Sequence, residues 1–321
     1  MAIPHLKVAS RLACAILLRG LISSTLGQPT LAAAQDISAD QIIIRAAGHE
    51  VRYQPCENGT WASALDEPAD LVAVAGGDGT VGRVAKKLIG RDLPLAPLPL
   101  GTANNISKTL GLADLSLTDI VAGWKSARHV SFDAGVAKGP WGSRYFMEAF
   151  GLGLFACTLP IADGNRKLKA LKDADAKVAH AIGLLRQRLE DCPPNALDLR
   201  LDGRDTSGDY VMLEAMNMAF VGPNLYLAPD LDPDDGMLDV VVVTSEERDK
   251  LHDSLATWQE GELEHPKLTR HLARVIQLEW TGFEVHFDDE AWPGDDDERP
   301  ALTRIEVTVE RDALKFVAPR T

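Results

Sequence analysis

A buried strand that ends in a glycine turn is the feature of this sequence that most constrains its fold. Residues 71–75 are small or branched and apolar, without the polar alternation of a strand that faces water on one side. The turn 76–80 (GGDGT) follows directly, and apolar residues then recur at helical spacing over 81–89. Thr80 is predicted to cap this helix. The stretch therefore predicts a strand, a turn and a helix of an α/β domain.

This turn has the properties of a phosphate site. Glycines let main-chain amides approach a ligand, and the free N–H groups of a helix N-terminus favour an anion. Asp78 lies inside the turn, where a bare carboxylate would repel phosphate, so it suggests a bound divalent cation. A glycine turn used only for packing is the alternative, since the spacing is neither that of a Walker loop nor that of the dinucleotide fingerprint.

A second strand–turn–helix unit follows the first. The apolar, proline-rich stretch 93–100 predicts a short strand at a sheet edge, and the turn 101–105 (GTANN) follows it. Helices are predicted over 106–112 and 116–127, after an earlier helix over 38–48 and a short strand over 50–53. Two such units in succession predict a parallel sheet covered by helices. We assign this α/β domain, whose first glycine turn predicts a phosphate site, to residues 37–128; the resemblance described below implies that it binds a nucleotide.

Strands dominate from residue 129 to 321. The predicted strands are 129–133, 143–150, 197–202, 208–221, 237–243, 273–280, 283–288, 303–309 and 313–317, with helices over 166–190 and 246–260. Glycine and aspartate turns separate many of them. This half predicts a mainly antiparallel β-sandwich domain.

Residues 1–36 form an extension of uncertain role. A short apolar run after Lys7 and Arg11 resembles the start of a signal peptide, but Arg19 interrupts it. An amphipathic helix and an extension outside the fold are the alternatives.

The four cysteines, Cys14, Cys56, Cys157 and Cys192, are scattered along the chain and predict free thiols. The net charge of −14 argues against nucleic acid as a partner.

Five motifs in this order resemble the diacylglycerol kinase catalytic-domain family, especially its bacterial lipid kinases. They are the turn 76–80, the stretch 99–105 (PLGTANN), the segment 132–153, the stretch 228–240 and the segment 285–290 (VHFDDE). The resemblance implies an NAD kinase/diacylglycerol kinase-like α/β domain, closed by a β-sandwich over an ATP cleft. It further implies ATP and Mg²⁺ as cofactors and a diacylglycerol-like or sphingoid lipid alcohol as substrate.

The resemblance also implies roles for individual residues. The nucleotide would be held by Gly76, Gly77, Asp78, Gly79, Thr80, Val81, Gly82, Gly101, Thr102, Asn104 and Asn105. Asp78 and Asp133 would carry the catalytic Mg²⁺, and Asp232, Asp235 and the Met237 carbonyl would bind a second cation. Asp288 or Glu290 would take the proton from the lipid hydroxyl. Because they are two apart on a predicted strand, both are expected to point to one face.

Four departures from the family pattern bear on activity. The opening strand that ends in Asn-Pro is not found, and Gly82-Arg83 stand where Asn-Glu is frequent. Asn105 stands where Asp is frequent, and Asp289 replaces a usual Gly. A soluble-substrate kinase such as an NAD kinase and a catalytically weak nucleotide- or lipid-binding protein are the alternative functions.

A transient contact with a membrane surface is also expected. Four basic residues begin the predicted helix after residue 165: Arg166, Lys167, Lys169 and Lys172. They predict either contact with anionic lipid head groups or a solvated helix face. The expected location is cytoplasmic, peripheral at the inner membrane face, and a homodimer is left open.

Overall fold

The computed structural model describes residues 14–19, 44–45, 47–56, 61–262, 266–282, 284–294 and 297–318. The predicted helix over 38–48 lies mostly outside them. The strands are β1 Cys14–Arg19, β2 Glu50–Pro55, β3 Leu71–Gly76, β4 Leu95–Pro99, β5 Arg128–Gly139, β6 Gly142–Phe146, β7 Ala149–Gly153, β8 Asn195–Leu201, β9 Arg204–Asp205, β10 Gly208–Met216, β11 Phe220–Val221, β12 Leu225–Tyr226, β13 Leu238–Thr244, β14 Thr269–Ala273, β15 Val275–Trp280, β16 Val285–Phe287, β17 Glu290–Trp292 and β18 Thr303–Ala318.

Seven α-helices lie in the described part of the chain. They are α1 Asp78–Leu88, α2 Asn105–Thr109, α3 Leu117–Gly123, α4 Leu154–Gly164, α5 Arg166–Ala170, α6 Ala174–Asp191 and α7 Arg248–Gln259. Short 3₁₀ helices cover Trp61–Asp66, Trp124–Ser126 and Ser245–Glu247. Among these helices, none is both long and apolar enough to cross a bilayer.

The predicted fold class is confirmed, with an α/β N-terminal half and a mainly antiparallel C-terminal half. Strands β3 and β4 pair in parallel over five residues, and α1 packs on β3. The sheet around them is mixed rather than purely parallel, because β1 runs antiparallel to both β2 and β3. The segment Cys14–Arg19 is therefore a strand beside the glycine-turn strand, which corrects the expectation of a helix or of a segment outside the fold.

The predicted edge position of the proline-rich strand is wrong. Strand β4 lies between β3 and β18, and its first residues are fully buried. Its parallel pairing with β18 is limited to Leu95 and Phe316. Pro97 and Pro99 lack the N–H that a longer ladder would need, so proline shortens the pairing instead of excluding the strand from the interior.

One long strand connects the two halves. Strand β18 pairs with β5 and β15, which belong to the sandwich, and touches β4 of the α/β half. The sequence predicted two strands here, 303–309 and 313–317, because Asp312 lies between them. The structure instead has one strand with a register shift between Glu310 and Leu314, where Asp312 adopts a positive φ of 51°.

A helical layer covers the face of β7, β10 and β13. Leu154, Phe155, Leu185 and Leu255 of helices α4, α6 and α7 are buried against Met212 of β10 in one apolar cluster. The sequence did not predict α4, since Pro160 lies inside an apolar segment without clear periodicity. The predicted helix 166–190 is two helices, and the Asp173 side chain accepts a hydrogen bond from Ala176 N to begin the second.

Candidate active site

The two glycine turns predicted from the sequence lie against each other. A Cβ atom added to Gly101 would stand 2.2 Å from Gly77 Cα, and Leu100 N donates to Gly76 O at 3.1 Å. Asn104 holds the second turn, because its side chain accepts from Gly101 N at 2.9 Å and donates to Gly101 O at 3.0 Å. Parallel pairing of β3 and β4 thus brings both turns to one edge of the sheet.

Asp78 is the first residue of α1 and connects the two turns. Its Oδ1 accepts from Ile106 N at 2.9 Å, at the start of α2. Burial raises the pKa of Asp78, although the amides of Ile106 and Asn105 and the charge of Lys108 act in the opposite direction. The N-cap of α1 is Gly77, so the predicted capping role of Thr80 is wrong.

Glu148 is a buried acid of the segment 132–153, and the sequence predicted no role for it. Asn105 Nδ2 donates to Glu148 Oε2 at 3.0 Å and also to Gly222 O at 3.0 Å. Burial, followed by the charges of Asp78 and Asp288, raises the pKa of Glu148 well above its ordinary range. Asn105 Oδ1 is buried without a hydrogen-bond partner among the described residues. This cluster therefore holds more acceptor oxygens than donors.

Asp288 lies in a two-residue turn between β16 and β17, with a positive φ of 53°. Its Oδ1 accepts from Met147 N at 2.9 Å and Glu148 N at 2.7 Å, while its Oδ2 accepts from Lys86 Nζ at 2.9 Å. Burial disfavours the charged form of Lys86. Attraction to Asp288 outweighs the effect of burial, so the pKa of Lys86 is raised. This ion pair joins α1 to the sandwich half.

Asp289 and Glu290, the two acids that follow Asp288, occupy different environments. The predicted common face of Asp288 and Glu290 is wrong, because the turn intervenes and Glu290 begins β17 as an exposed residue. Asp289 instead lies over the first glycine turn, since a Cβ on Gly79 would stand 2.4 Å from Asp289 Oδ2. Burial and the charge of Asp288 raise the pKa of Asp289.

A fully buried histidine–glutamate pair contacts this turn. His286 Nε2 is 2.8 Å from Glu214 Oε2, and His286 Nδ1 is 3.0 Å from Asp288 O. Burial disfavours the charged imidazole, but Glu214 outweighs it and raises the pKa of His286. Burial likewise raises the pKa of Glu214, against the opposing charge of His286. The sequence predicted no role for either residue.

We expect His286→Ala to lower the free energy of unfolding by about 3–5 kcal/mol, because it leaves Glu214 buried without its partner. Both pKa values are raised, so the folded pair keeps a proton that the unfolded chain releases. Its contribution to stability is therefore present at low pH and falls as the pH rises above about 4.5–6.5. Urea unfolding at several pH values tests this, with the exposed His129→Ala as control. Equal effects of the two substitutions would contradict it.

A cavity of about 310 Å³ joins these groups to an apolar region. Its polar end is lined by Asp78, Gly79, Thr102, Glu148, Asp288 and Asp289. Its apolar end is lined by Phe155, Leu159 and Ala162 of α4, Ala181 and Leu185 of α6, and Val221 and Pro223. One cavity therefore combines carboxylates and a glycine turn, named the polar end, with hydrocarbon walls, named the apolar end.

Asp133 lies outside the lining of the cavity that Asp78 helps to form. Its two carboxylate oxygens accept from Gly236 N at 2.8 Å and Asp312 N at 2.9 Å, which ties β5 to the loop before β13 and to the irregularity in β18. It is buried and does not line the cavity. Asp133 therefore stabilises the fold through these two amides, and its part with Asp78 in carrying Mg²⁺, directly or through water, stays a prediction.

The loop predicted to bind a second cation is closed by its own hydrogen bonds. Asp232 Oδ1 accepts from Asp234 N at 3.1 Å, and Asp235 Oδ1 accepts from Met237 N at 2.8 Å. Such Asx turns form without a metal. Cation binding by Asp232, Asp235 and the Met237 carbonyl stays a prediction.

The polar end of the cavity fits Mg²⁺ as a partly solvated ion. Within the described ranges, no group of three or more His, Cys, Asp or Glu residues is arranged to hold a metal ion. Mg²⁺ ordinarily uses one or two carboxylates together with water and phosphate oxygens. Asp78, Glu148 and the unpartnered Asn105 Oδ1 supply oxygen donors of this kind.

The α/β half and the β-sandwich half each match a known domain family. Residues 32–136 match the diacylglycerol kinase catalytic domain, and residues 162–316 match the YegS C-terminal NAD kinase β-sandwich-like domain. The chain belongs to the diacylglycerol kinase family.

Similar proteins agree with this assignment. A diacylglycerol kinase of Mycobacterium tuberculosis (strain CDC 1551 / Oshkosh) is 28% identical over 257 residues, which cover 77% of this chain and 76% of the relative. A crystal structure of a diacylglycerol kinase from Bacillus anthracis str. Sterne has a TM-score of 0.59 at 21% identity. It covers 82% of this chain and 83% of that chain, and it supports the fold.

Proposed function

We propose that the protein transfers the γ-phosphoryl group of ATP to the hydroxyl of a diacylglycerol-like or sphingoid lipid. The observation that carries this proposal is one cavity lined both by the glycine turn with its acids and by apolar side chains of α4 and α6. A phosphoryl donor suits the acids and the glycine turn, and a hydrocarbon chain suits the apolar walls. Such a pocket has a few convergent polar groups on a mainly apolar lining.

The glycine turns are expected to hold the phosphates. Phosphoryl transfer needs positioning and charge neutralisation more than covalent help from the protein. The N-terminus of α1 directs its dipole at this end of the cavity, and the second turn lies directly against it. When bound, Mg²⁺ would neutralise phosphate charge between Asp78 and the donor oxygens. Thr102 lines the same cavity beside Gly79.

Asp288 is expected to orient the lipid hydroxyl. An ionised carboxylate has about four acceptor sites, of which two backbone amides and Lys86 occupy three. The remaining site can accept the hydroxyl proton while the bound donors keep the carboxylate in place. Glu290 is exposed and does not line the cavity, so the geometry favours Asp288 for this role.

Filling the apolar end should weaken the lipid substrate alone. Ala181 lines the cavity from α6, and we expect Ala181→Phe to raise the KM for lipid by about tenfold with the KM for ATP unchanged. Steady-state kinetics in mixed micelles measure both values. Ala174→Phe is the matched control, because Ala174 is exposed on the same helix. A parallel rise in the KM for ATP would contradict the assignment of the two ends.

A basic surface at the end of α4 supports a membrane contact. Arg166, Lys167, Lys169 and Lys172 are exposed, and Ile161, next to the cavity-lining Ala162, is 46% exposed. Apolar and basic groups at one place suit an anionic bilayer surface.

We expect the double variant Lys167→Ala/Lys169→Ala to bind phosphatidylserine vesicles about 10- to 30-fold more weakly, since each basic residue contributes ~1 kcal/mol near such a surface. Vesicle sedimentation at low salt measures this. The control is Lys138→Ala/Lys250→Ala, which removes two exposed lysines from other elements. Equal losses for the two variants would point to net charge rather than to this surface.

The proposed reaction is tested by offering several acceptors to one preparation. Purified protein with Mg²⁺ and ATP is assayed with diacylglycerol, a sphingoid base and NAD. Turnover of a lipid alcohol, lost in Asp288→Ala, is the expected result. Turnover of NAD alone, or ATP binding without transfer to any acceptor, would overturn it.

A further inference from the structure

Two cysteines that are distant in sequence meet next to the cavity. Cys157 lies in α4 and Cys192 follows the last residue of α6, and their sulfur atoms are 3.8 Å apart. The sequence showed only scattered thiols. Strand pairing and helix packing bring these two together, because α4 and α6 cover the same face of the sheet.

The surroundings distinguish the two thiols. Arg188 Nε lies 3.4 Å from Cys157 Sγ. The hydrogen bond with Cys192 lowers the pKa of Cys157 to about 6; burial opposes this shift and Arg188 reinforces it. The hydrogen bond with Cys157, and then burial, raise the pKa of Cys192. Cys157 is half-buried and Cys192 is buried. The geometry thus places one half-buried thiol beside a guanidinium group, with a second, buried thiol directly behind it.

We propose that Cys157 and Cys192 form an oxidisable dithiol, which a hydroperoxide converts into a disulfide between α4 and α6. The sulfur atoms must approach by about 1.8 Å to reach the ~2.0 Å bond length. The hydroperoxide is the oxidant, and the reaction needs no other co-reactant.

The chemistry proceeds in two steps. The Cys157 thiolate attacks one peroxide oxygen, a sulfur–oxygen bond forms, and the oxygen–oxygen bond breaks. The leaving alkoxide takes a proton and departs as an alcohol, or as water from hydrogen peroxide, and leaves a sulfenic acid. The Cys192 sulfur then attacks Cys157 Sγ and displaces hydroxide, which leaves as water with the Cys192 proton. Two thiols and one hydroperoxide thus give one disulfide, one alcohol and one water.

The bond would link the two helices that line the apolar end of the cavity. Phe155 and Leu159 lie on α4 on either side of Cys157, and Leu185 lies on α6 one turn before Arg188. We expect oxidation to fix these walls and to raise the KM for lipid several-fold with the KM for ATP unchanged. This consequence rests on the proposed function, whereas disulfide formation does not.

The test exposes the full chain to hydrogen peroxide at neutral pH and maps its cysteines by differential alkylation and peptide mass spectrometry. The expected result is a cross-linked pair of peptides carrying Cys157 and Cys192, two hydrogen atoms lighter than the reduced pair and restored by dithiothreitol. Independent alkylation of both thiols after oxidation, or a sulfinic acid on Cys157 without the cross-link, would overturn the proposal.

Variants separate the two steps. Cys192→Ala should stop at a sulfenic acid on Cys157 that dimedone traps, and Arg188→Gln should slow that step by roughly threefold or more because the thiolate is the nucleophile. Arg186→Gln is the control, since Arg186 lies on the same helix as Arg188 but donates to His252 of α7 instead of contacting Cys157. Equal rates for the two arginine variants would remove Arg188 from the proposal. A cross-link without any change in lipid kinetics would leave the dithiol standing and overturn only its link to the cavity.

Discussion

Asp78→Asn is expected to lower the rate of phosphoryl transfer by about 10²–10³-fold while the fold stays at least as stable as the wild type. An asparagine side chain keeps an oxygen that can accept from Ile106 N, so the contact between the two turns is preserved. What is lost is the negative charge that faces the proposed phosphate site. Activity and stability are therefore predicted to move in different directions.

The stability half of this prediction follows from the sign of the pKa shift. Burial raises the pKa of Asp78 above its ordinary value of 3.8, so the ionised form costs stability at neutral pH. A neutral amide removes that cost, and the advantage of the variant should grow as the pH rises through the folded pKa of Asp78. Thermal unfolding at pH 5 and pH 8 beside steady-state kinetics checks both halves. A variant that loses stability and activity together would show that the charge is structural.

Gly101→Ala is expected to remove activity by displacing one glycine turn from the other. The new methyl group would stand 2.2 Å from Gly77 Cα and 2.8 Å from Asn104 Oδ1, and a backbone atom cannot yield as a flexible side chain can. Overpacking of this kind costs about 1–3 kcal/mol in stability. A displacement of ~1 Å at a site of phosphoryl transfer costs about 10²-fold in rate.

The matched control is Gly164→Ala at the end of α4. Nothing lies within 4 Å of a Cβ at Gly164, and its backbone carries no positive φ. We expect this variant to keep its activity and to match or slightly exceed the wild type in stability. Kinetics and urea unfolding of both variants decide the matter, and full activity of Gly101→Ala would disprove the close contact of the two turns.

Local patterns in the sequence predicted the elements that carry the site. The strand Leu71–Gly76, its glycine turn and the following helix depend on neighbouring residues, and the second turn repeats the arrangement. The fold class followed from these units and from the strand-rich second half. The observed strand ends differ from the predicted ends by a few residues where a bulge or a positive φ interrupts the strand, as at Asp312 and Asp288.

Contacts between distant residues could not be predicted in the same way. Lys86 and Asp288 are 202 positions apart, and neither the periodicity of α1 nor the motif around Asp288 identifies the partner. Glu148 becomes part of the site only because β7 and α2 bring it to Asn105. The alternation rule placed Asp288 and Glu290 on one face because a two-residue hairpin turn inside the motif had no glycine to mark it.

Transfer of label from radioactive ATP to a total lipid extract tests the central claim most directly. With Mg²⁺ present, the account predicts label in an organic-phase phospholipid, at a rate that Asp78→Asn reduces by about 10²-fold or more. Label that appears only in a water-soluble product, or label in lipid that is unaffected by Asp78→Asn, would contradict it.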